Sequence, residues 1–355
     1  MKVISPDLIS GKIVLLRLDL DVPLGKVTGN PSASLRASRL QVIEDFRLKA
    51  GLPTLRLCLE NADRVIIMGH IGRPGGREVP ELSVESIYDW LVEHNDLRSH
   101  LSSGKLKLLE NLRFEKGEDA CDENYAKELA SYGDFYVNEA FAAHHKAAST
   151  TVLPTLLPHA AGLRFAEEVE KLTEVKENPK RPLVVIIGGV KVEDKLPAIE
   201  AMSKIADTVL VGGKIAGEIT LRSTAVEHNV ILGELDGSGM DISEKTVTEW
   251  KPIIKNANMI VWNGPLGQVQ SSRQRRGSPE AAKFKVQSLG TERGTYEIAK
   301  AIMESGAESI IGGGDTLSVL SKMGFLNKFS FVSTGGGAML KFLSEGTLPT
   351  IEALR

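Results

Sequence analysis

The chain has 355 residues, 42% hydrophobic and 25% charged, with a formal net charge of -3 and two cysteines. That length suffices for about two domains of roughly 150 residues each, and the charge excludes a protein built mainly to coat nucleic acid. Cys58 and Cys121 lie far from any CxxC spacing, giving neither a disulfide framework nor a zinc site, which fits a reducing cytoplasm.

The amino terminus, MKVISPDLISGKIVLLRLDLD, has charges breaking every apolar stretch, so no signal peptide is expected. No run approaches the ~20 apolar residues of a membrane span, and no membrane partner is expected. Strand-length apolar runs then recur: Lys12–Asp19, Arg64–His70, Lys105–Asn111 and Asp134–Phe141 in the first half. Gly162 precedes a helical stripe of Phe165, Val169, Leu172 and Val175 amid Glu and Lys, which Asn178-Pro179 breaks. The second half continues with Pro182–Gly189, Thr208–Gly213, Asn258–Gly264, Ser309–Gly314 and Phe329–Gly337.

Runs without polar alternation, separated by helical segments, indicate parallel sheets covered on both faces. The predicted fold is therefore α/β, with two Rossmann-like, doubly wound parallel-sheet domains joined by a helix. The expected boundaries are residues 1–162, a linking and hinge helix at 163–179, and a second domain at 180–340. The C-terminal segment 341–355 is expected to pack back on the first domain.

Ligands in such sheets bind beyond the carboxyl ends of the strands. In the first half those ends carry His70, Arg73, Arg113, His144, His145 and Lys146, with Arg47 a further cation. In the second half they carry glycine: Gly188-Gly189, Gly212-Gly213, Gly264, Gly312 to Gly314 and Gly335 to Gly337. Cations on one side and amide-lined turns on the other suit a phosphorylated small molecule and a nucleotide. Each signal also has a bland alternative, a surface arginine or an ordinary turn. GxxxxGK[ST] and GxGxxG are both missing, which disfavours a P-loop enzyme and a dinucleotide dehydrogenase. Lys191 and Lys195, spaced i and i+4 just past a glycine turn, are either solvated or aimed at a transferring phosphoryl group. The basic stretch Gln270–Lys285 reads as a solvated loop rather than an RNA-binding patch, since no aromatics interleave it.

Taken in order, the motifs resemble those of the phosphoglycerate kinases. RLDLDVPL, RLKAGLPTL, GHIGRP, LLENLRF, YVNEAFAAHHKAAST, GGVKVEDK, VWNGPLG, IIGGGDT and VSTGGGAML run collinearly from about residue 10 to the end. The resemblance implies reversible, Mg²⁺-dependent phosphoryl transfer between 1,3-bisphosphoglycerate and ADP, giving 3-phosphoglycerate and ATP. It implies an acid-ester site of Asp19, Asp21, Arg47, His70, Ile71, Gly72, Arg73, Arg113 and Lys146. The nucleotide site would comprise Gly189, Lys191, Lys195, Gly213, Asn263, Pro265, Gln270, Gly312, Gly313, Gly314, Asp315 and Thr316, with Asp315 the magnesium ligand. Arg47, Lys195 and the amides of Gly336 and Gly337 would hold the transferred group, with Lys191 assisting. A cytoplasmic monomer with hinge motion about residues 163–178 is expected.

Several positions depart from the family pattern. Asp21 stands for asparagine, Glu139 for aspartate, Lys146 for arginine and Gln270 for glutamate. Extra residues precede Arg47 and follow Gln270, and the stretch between Gly213 and Trp262 is short. A kinase with an altered acceptor, or a non-catalytic nucleotide-binding descendant, is the alternative these changes raise.

Overall fold

The computed structural model describes residues 1–26, 40–190, 192–222, 226–269 and 290–355. Lys191, Gln270, the rest of Gln270–Lys285 and most of the insert before Arg47 lie outside the described residues. The strands are β1 (Ile13–Arg17), β2 (Leu24–Gly25), β3 (Gln41–Val42), β4 (Arg64–Met68), β5 (Leu106–Leu108), β6 (Phe135–Asn138) and β7 (His159–Ala161). They continue with β8 (Leu183–Ile187), β9 (Thr208–Val211), β10 (Val230–Leu232), β11 (Met259–Asn263), β12 (Glu308–Gly312) and β13 (Phe331–Val332). Two compact units result: Met1–Glu170 with Thr347–Arg355, and Lys171–Gly346.

The first unit is built on a parallel sheet of order β5-β4-β1-β6-β7. Val14, Leu15 and Leu16 of its central strand are fully buried. A strand covered on both faces needs no polar alternation, which is why the sequence there is an unbroken apolar run. Each such side chain contributes roughly 1.5–3 kcal/mol of burial. The chain passes from β1 outward to β5, then returns to β6, so the strand order reverses between β1 and β6. The second unit has a parallel sheet of order β10-β9-β8-β11-β12-β13, reversing between β8 and β11. In both units the reversal opens the crevice where ligands bind in this fold class.

Three elements carry no clear sequence signal. β7 is the tripeptide HAA, and β10 is three apolar residues. Both are edge strands of three residues, too short to be read from sequence alone; for HAA only pairing to a neighbour makes the strand, whereas VIL also has strand-favouring side chains. The β2–β3 ribbon is antiparallel, two residues a side.

Helix Leu163–Glu177 contains the division between the units, which falls between Glu170 and Lys171. Its stripe residues Phe165, Leu172 and Val175 are fully buried. Its first turn is satisfied by Glu139, whose Oε1 and Oε2 accept the Arg164 and Phe165 N–H groups at 3.1 and 3.2 Å. Thr54 also donates its hydroxyl to Glu139, at 2.6 Å. Burial outweighs these bonds and pushes the Glu139 carboxyl up to about 7. Helix Gly337–Glu345 runs through residue 340 and stays with the second unit, after which Thr347–Arg355 joins the first. Among the described residues no helix is long and apolar enough to cross a membrane.

Candidate active site

The first cluster forms beyond β1 and β4. Arg47 opens helix Phe46–Asn61, and its Nη1 donates to the Asp21 carbonyl at 3.0 Å while lying 3.4 Å from Asp19 Oδ2. Asp19 is buried, and desolvation raises its carboxyl pKa despite the attraction of Arg47. The loop His70–Arg73 is clamped on both sides. Gly72 N–H donates to Asp21 Oδ1 at 2.9 Å, and Arg113 Nη1 donates to the Gly72 carbonyl at 2.9 Å. Asn111 donates to the carbonyl of buried Ile71 at 2.8 Å.

His70 is buried, with its Nδ1 3.1 Å from Arg17 Nη2. Desolvation first, then the fields of Arg17, Arg113, Arg47 and Arg73, drives the imidazole far below its usual range. The ring is therefore neutral at physiological pH, and the positive charge here belongs to arginines. The structure thus brings Asp19, Asp21, Arg47, His70, Ile71, Gly72, Arg73 and Arg113 into one neighbourhood. Lys146 stands exposed in the loop after β6, outside this hydrogen-bonded network.

The second cluster surrounds the reversal between β8 and β11. A cavity of about 560 Å³ is walled by Gly188, Gly189, Val190, Lys195, residues 263–265, residues 267–269, residues 313–316, Gly336 and Gly337. Helices Lys214–Leu221, Gly314–Lys322 and Gly337–Glu345 begin at Gly213, Gly313 and Gly336, whose φ angles are +70°, +100° and +50°. Glycine tolerates that left-handed backbone, and no side chain caps these starts; the Ala216 and Ala338 N–H groups turn back to the Gly213 and Gly335 carbonyls, and uncapped helix starts of this kind suit an anion. Gly213 and Gly312 sit one step behind the wall: a Cβ on Gly213 would meet the Gly189 carbonyl at 3.0 Å.

Two side chains tie the floor together. Lys195 donates to Asn263 Oδ1 at 2.6 Å, and Asn263 Nδ2 donates to the Gly336 carbonyl at 3.1 Å. Thr316 Oγ1 accepts from Gly264 N–H at 2.9 Å, joining the β12 turn to the β11 turn. Asp315 is exposed at the rim, in the first turn of helix Gly314–Lys322. A carboxylate among anion-seeking amides makes electrostatic sense when a cation lies between it and the anion.

The phosphoglycerate kinase family model matches residues 6–230 and 220–346. The chain belongs to the phosphoglycerate kinase family. It is 34% identical to a phosphoglycerate kinase of Salinibacter ruber, over 98% of this chain and 97% of that protein. It is 32% identical to one of Leptospira biflexa, over 98% and 96%. The solved phosphoglycerate kinase of Coxiella burnetii superposes with a TM-score of 0.74 at 28% identity, covering 98% of this chain and 96% of that one. That of Pyrococcus horikoshii gives 0.75 at 26% identity, covering 97% and 96%. Family and relatives indicate a phosphoglycerate kinase, a phosphotransferase that works with a nucleotide co-substrate.

Within this family frame, residue-by-residue reading of the sequence missed a buried layer. Arg17, Glu118 and Ser149 stand behind His70 in the first unit; exposed Gln268 and half-buried Val269, which line the second cavity, were missed as well. Arg17 left a signal: it is a charged residue inside the apolar run of β1, where an unpaired charge would be very costly. Glu118 and Ser149 left none, because their partners are distant in sequence.

Proposed function

We propose that the first unit holds 3-phosphoglycerate or 1,3-bisphosphoglycerate on Arg47, His70, Arg73 and Arg113. The second unit holds the phosphates of ADP or ATP at the cavity walled by Lys195, Asn263 and the turns at Gly313 and Gly336. In the ATP-forming direction a β-phosphate oxygen of ADP attacks the acyl phosphorus, the bond from phosphorus to the acyl oxygen breaks, and the carboxylate leaves. Nucleophile and leaving group are both anionic near neutral pH, so no proton moves and no general base is needed. The demand is for cations and aligned N–H donors around the equatorial oxygens; Lys195 and the amides at Gly336 and Gly337 are those the second unit offers, and Arg47 is the cation the first unit offers.

Asp315 is the residue that would hold Mg²⁺. Among the described residues no cluster of three or more His, Cys, Asp or Glu side chains could form a closed metal cage. One exposed carboxylate beside a phosphate cavity fits Mg²⁺, which keeps several waters and takes its other ligands from substrate phosphates. When bound, the ion supplies charge neutralisation of the phosphate chain.

The observation that carries the nucleotide half is the convergence of uncapped helix starts on the Lys195–Asn263 floor. We also read the chain as a cytoplasmic monomer, the cytoplasmic part supported by two free cysteines. A coupled assay for ATP-dependent formation of 1,3-bisphosphoglycerate tests the reaction, and sedimentation tests the monomer. Turnover that vanishes with chelator and fails to saturate in Asp315→Asn at the wild-type Mg²⁺ concentration is the expected result. Mg-ATP binding with no turnover on 3-phosphoglycerate would overturn the assignment.

A further inference from the structure

His70 and Arg17 form a contact that admits only one arrangement of protons. Arg17 lies in β1 and His70 two residues past the end of the adjacent β4, with Arg17 Nη2 3.1 Å from His70 Nδ1. A guanidinium can donate but never accept. Nδ1 must therefore present its lone pair, and a neutral ring must carry its hydrogen on Nε2. Arg17 is itself aimed by two other buried groups. Its Nε donates to Ser149 Oγ at 2.8 Å, and that hydroxyl donates onward to Glu118 Oε1 at 2.6 Å. The Ser149 N–H donates to the second Glu118 oxygen at 3.0 Å, and Glu118 lies 3.7 Å from Arg17 Nη2. Ser149 belongs to a π-helical turn, Ala148–Val152, a form that recurs at functional sites.

We propose that Arg17, oriented by Glu118 and Ser149, is a positioning residue that locks His70 in its Nε2–H tautomer, so that His70 serves the acid-ester site as a neutral hydrogen-bond donor. This rests on the proposed placement of the acid ester at His70. A buried triad built on one ion pair is a poor device for stability alone, since apolar residues of the same volume commonly do as well. Here Arg17 Nη1 is also buried without a partner, so the guanidinium is not used to full hydrogen-bonding advantage within the fold. Orientation of the imidazole is what the triad does supply. Arg17 from β1, Arg47 from helix Phe46–Asn61, Arg73 from the loop after β4 and Arg113 from the turn Leu112–Phe114 all oppose a charge on the ring. Asp19 near Arg47, Asp21 on the Gly72 N–H, Glu118 behind Arg17 and Asp119 paired with Arg113 are acidic groups of the same neighbourhood.

The test is a long-range ¹H–¹⁵N correlation spectrum of the ¹⁵N-labelled full chain. Wild type is expected to show an unprotonated Nδ1 and a protonated Nε2 for His70, unchanged over about pH 5–8. Arg17→Met/Glu118→Gln removes the donor without stranding a buried charge. It should give a mixed tautomer, a roughly ten-fold higher KM for 3-phosphoglycerate that varies with pH, and a kcat within about two-fold of wild type. Arg17→Lys should restore the tautomer and the flat profile. A protonated Nδ1 in wild type overturns the proposal, and that spectrum requires no variant to fold. So does an unaltered tautomer and pH profile in the double variant. An unchanged KM in His70→Ala would instead overturn the site reading on which the inference rests, leaving the tautomer result standing.

Discussion

Gly188 and Gly264 hold the carboxyl ends of β8 and β11 in backbone contact. A Cβ added to Gly188 would stand 2.6 Å from the Gly264 carbonyl oxygen, and one added to Gly264 would run into the Gly188 carbonyl. Gly264 also has a φ of +97°. Gly264→Ala is therefore expected to cost about 3 kcal/mol or more, from overpacking and backbone strain together. It should also weaken adenine-nucleotide binding, because the same contact shapes the cavity wall. Denaturant midpoints and nucleotide titration check both, and a variant with wild-type values in each would contradict the geometry.

Lys195 is held by Asn263 on the cavity floor. If its ammonium supplies a few kcal/mol to the phosphoryl-transfer transition state, Lys195→Ala should lower kcat by about 10²-fold or more. Nucleotide Kd should change much less. Steady-state kinetics alongside calorimetry separates the two effects. Unchanged turnover removes Lys195 from the mechanism.

Asp21 uses one oxygen to accept the Gly72 N–H, a bond that the Oδ1 of an asparagine can keep. In the proposed acid-ester site its carboxylate would put negative charge near an anionic substrate. Asp21→Asn should tighten 3-phosphoglycerate binding by about 1 kcal/mol, roughly five-fold in Kd, if the groups lie about 4 Å apart in a water-like medium. Calorimetric binding that is equal or weaker contradicts the repulsion argument.

Glu139 makes stability depend on pH with a definite sign. Burial pushes its carboxyl up to about 7 from the usual 4.5, so between those values the native state keeps a proton that the unfolded chain has lost. Stability from this group falls as pH rises through that window, by about 3 kcal/mol in all, and levels off above it. Glu139→Gln cannot titrate and should flatten that slope, at the cost of an acceptor for one of the helix-starting N–H groups. Denaturation at about pH 5 and about pH 8 gives the comparison. Equal pH dependence in the two proteins would refute the account.

The parallel sheets were legible in the sequence because a strand buried on both faces is apolar along most of its length: β8 is so throughout, and β1 and β11 are until their last residues, Arg17 and Asn263. The strand-end arginines and the glycine turns could be located for a related reason: the close of an apolar run marks the end of a strand, although each such residue also has an ordinary structural use as a surface cation or a turn. What the sequence did not disclose was pairing across distance. β7 exists because a neighbouring strand offers it hydrogen bonds, not because HAA favours an extended chain, and β10, although VIL favours one, is only three residues long and is fixed by its pairing to β9. Arg17 stood out in the sequence as a charge in a core strand, yet its partners Ser149 and Glu118 lie more than a hundred residues away and are met only through the fold. The protonation of His70 and Glu139 was likewise decided by tertiary structure, since desolvation is a property of what surrounds a group rather than of its neighbours in sequence.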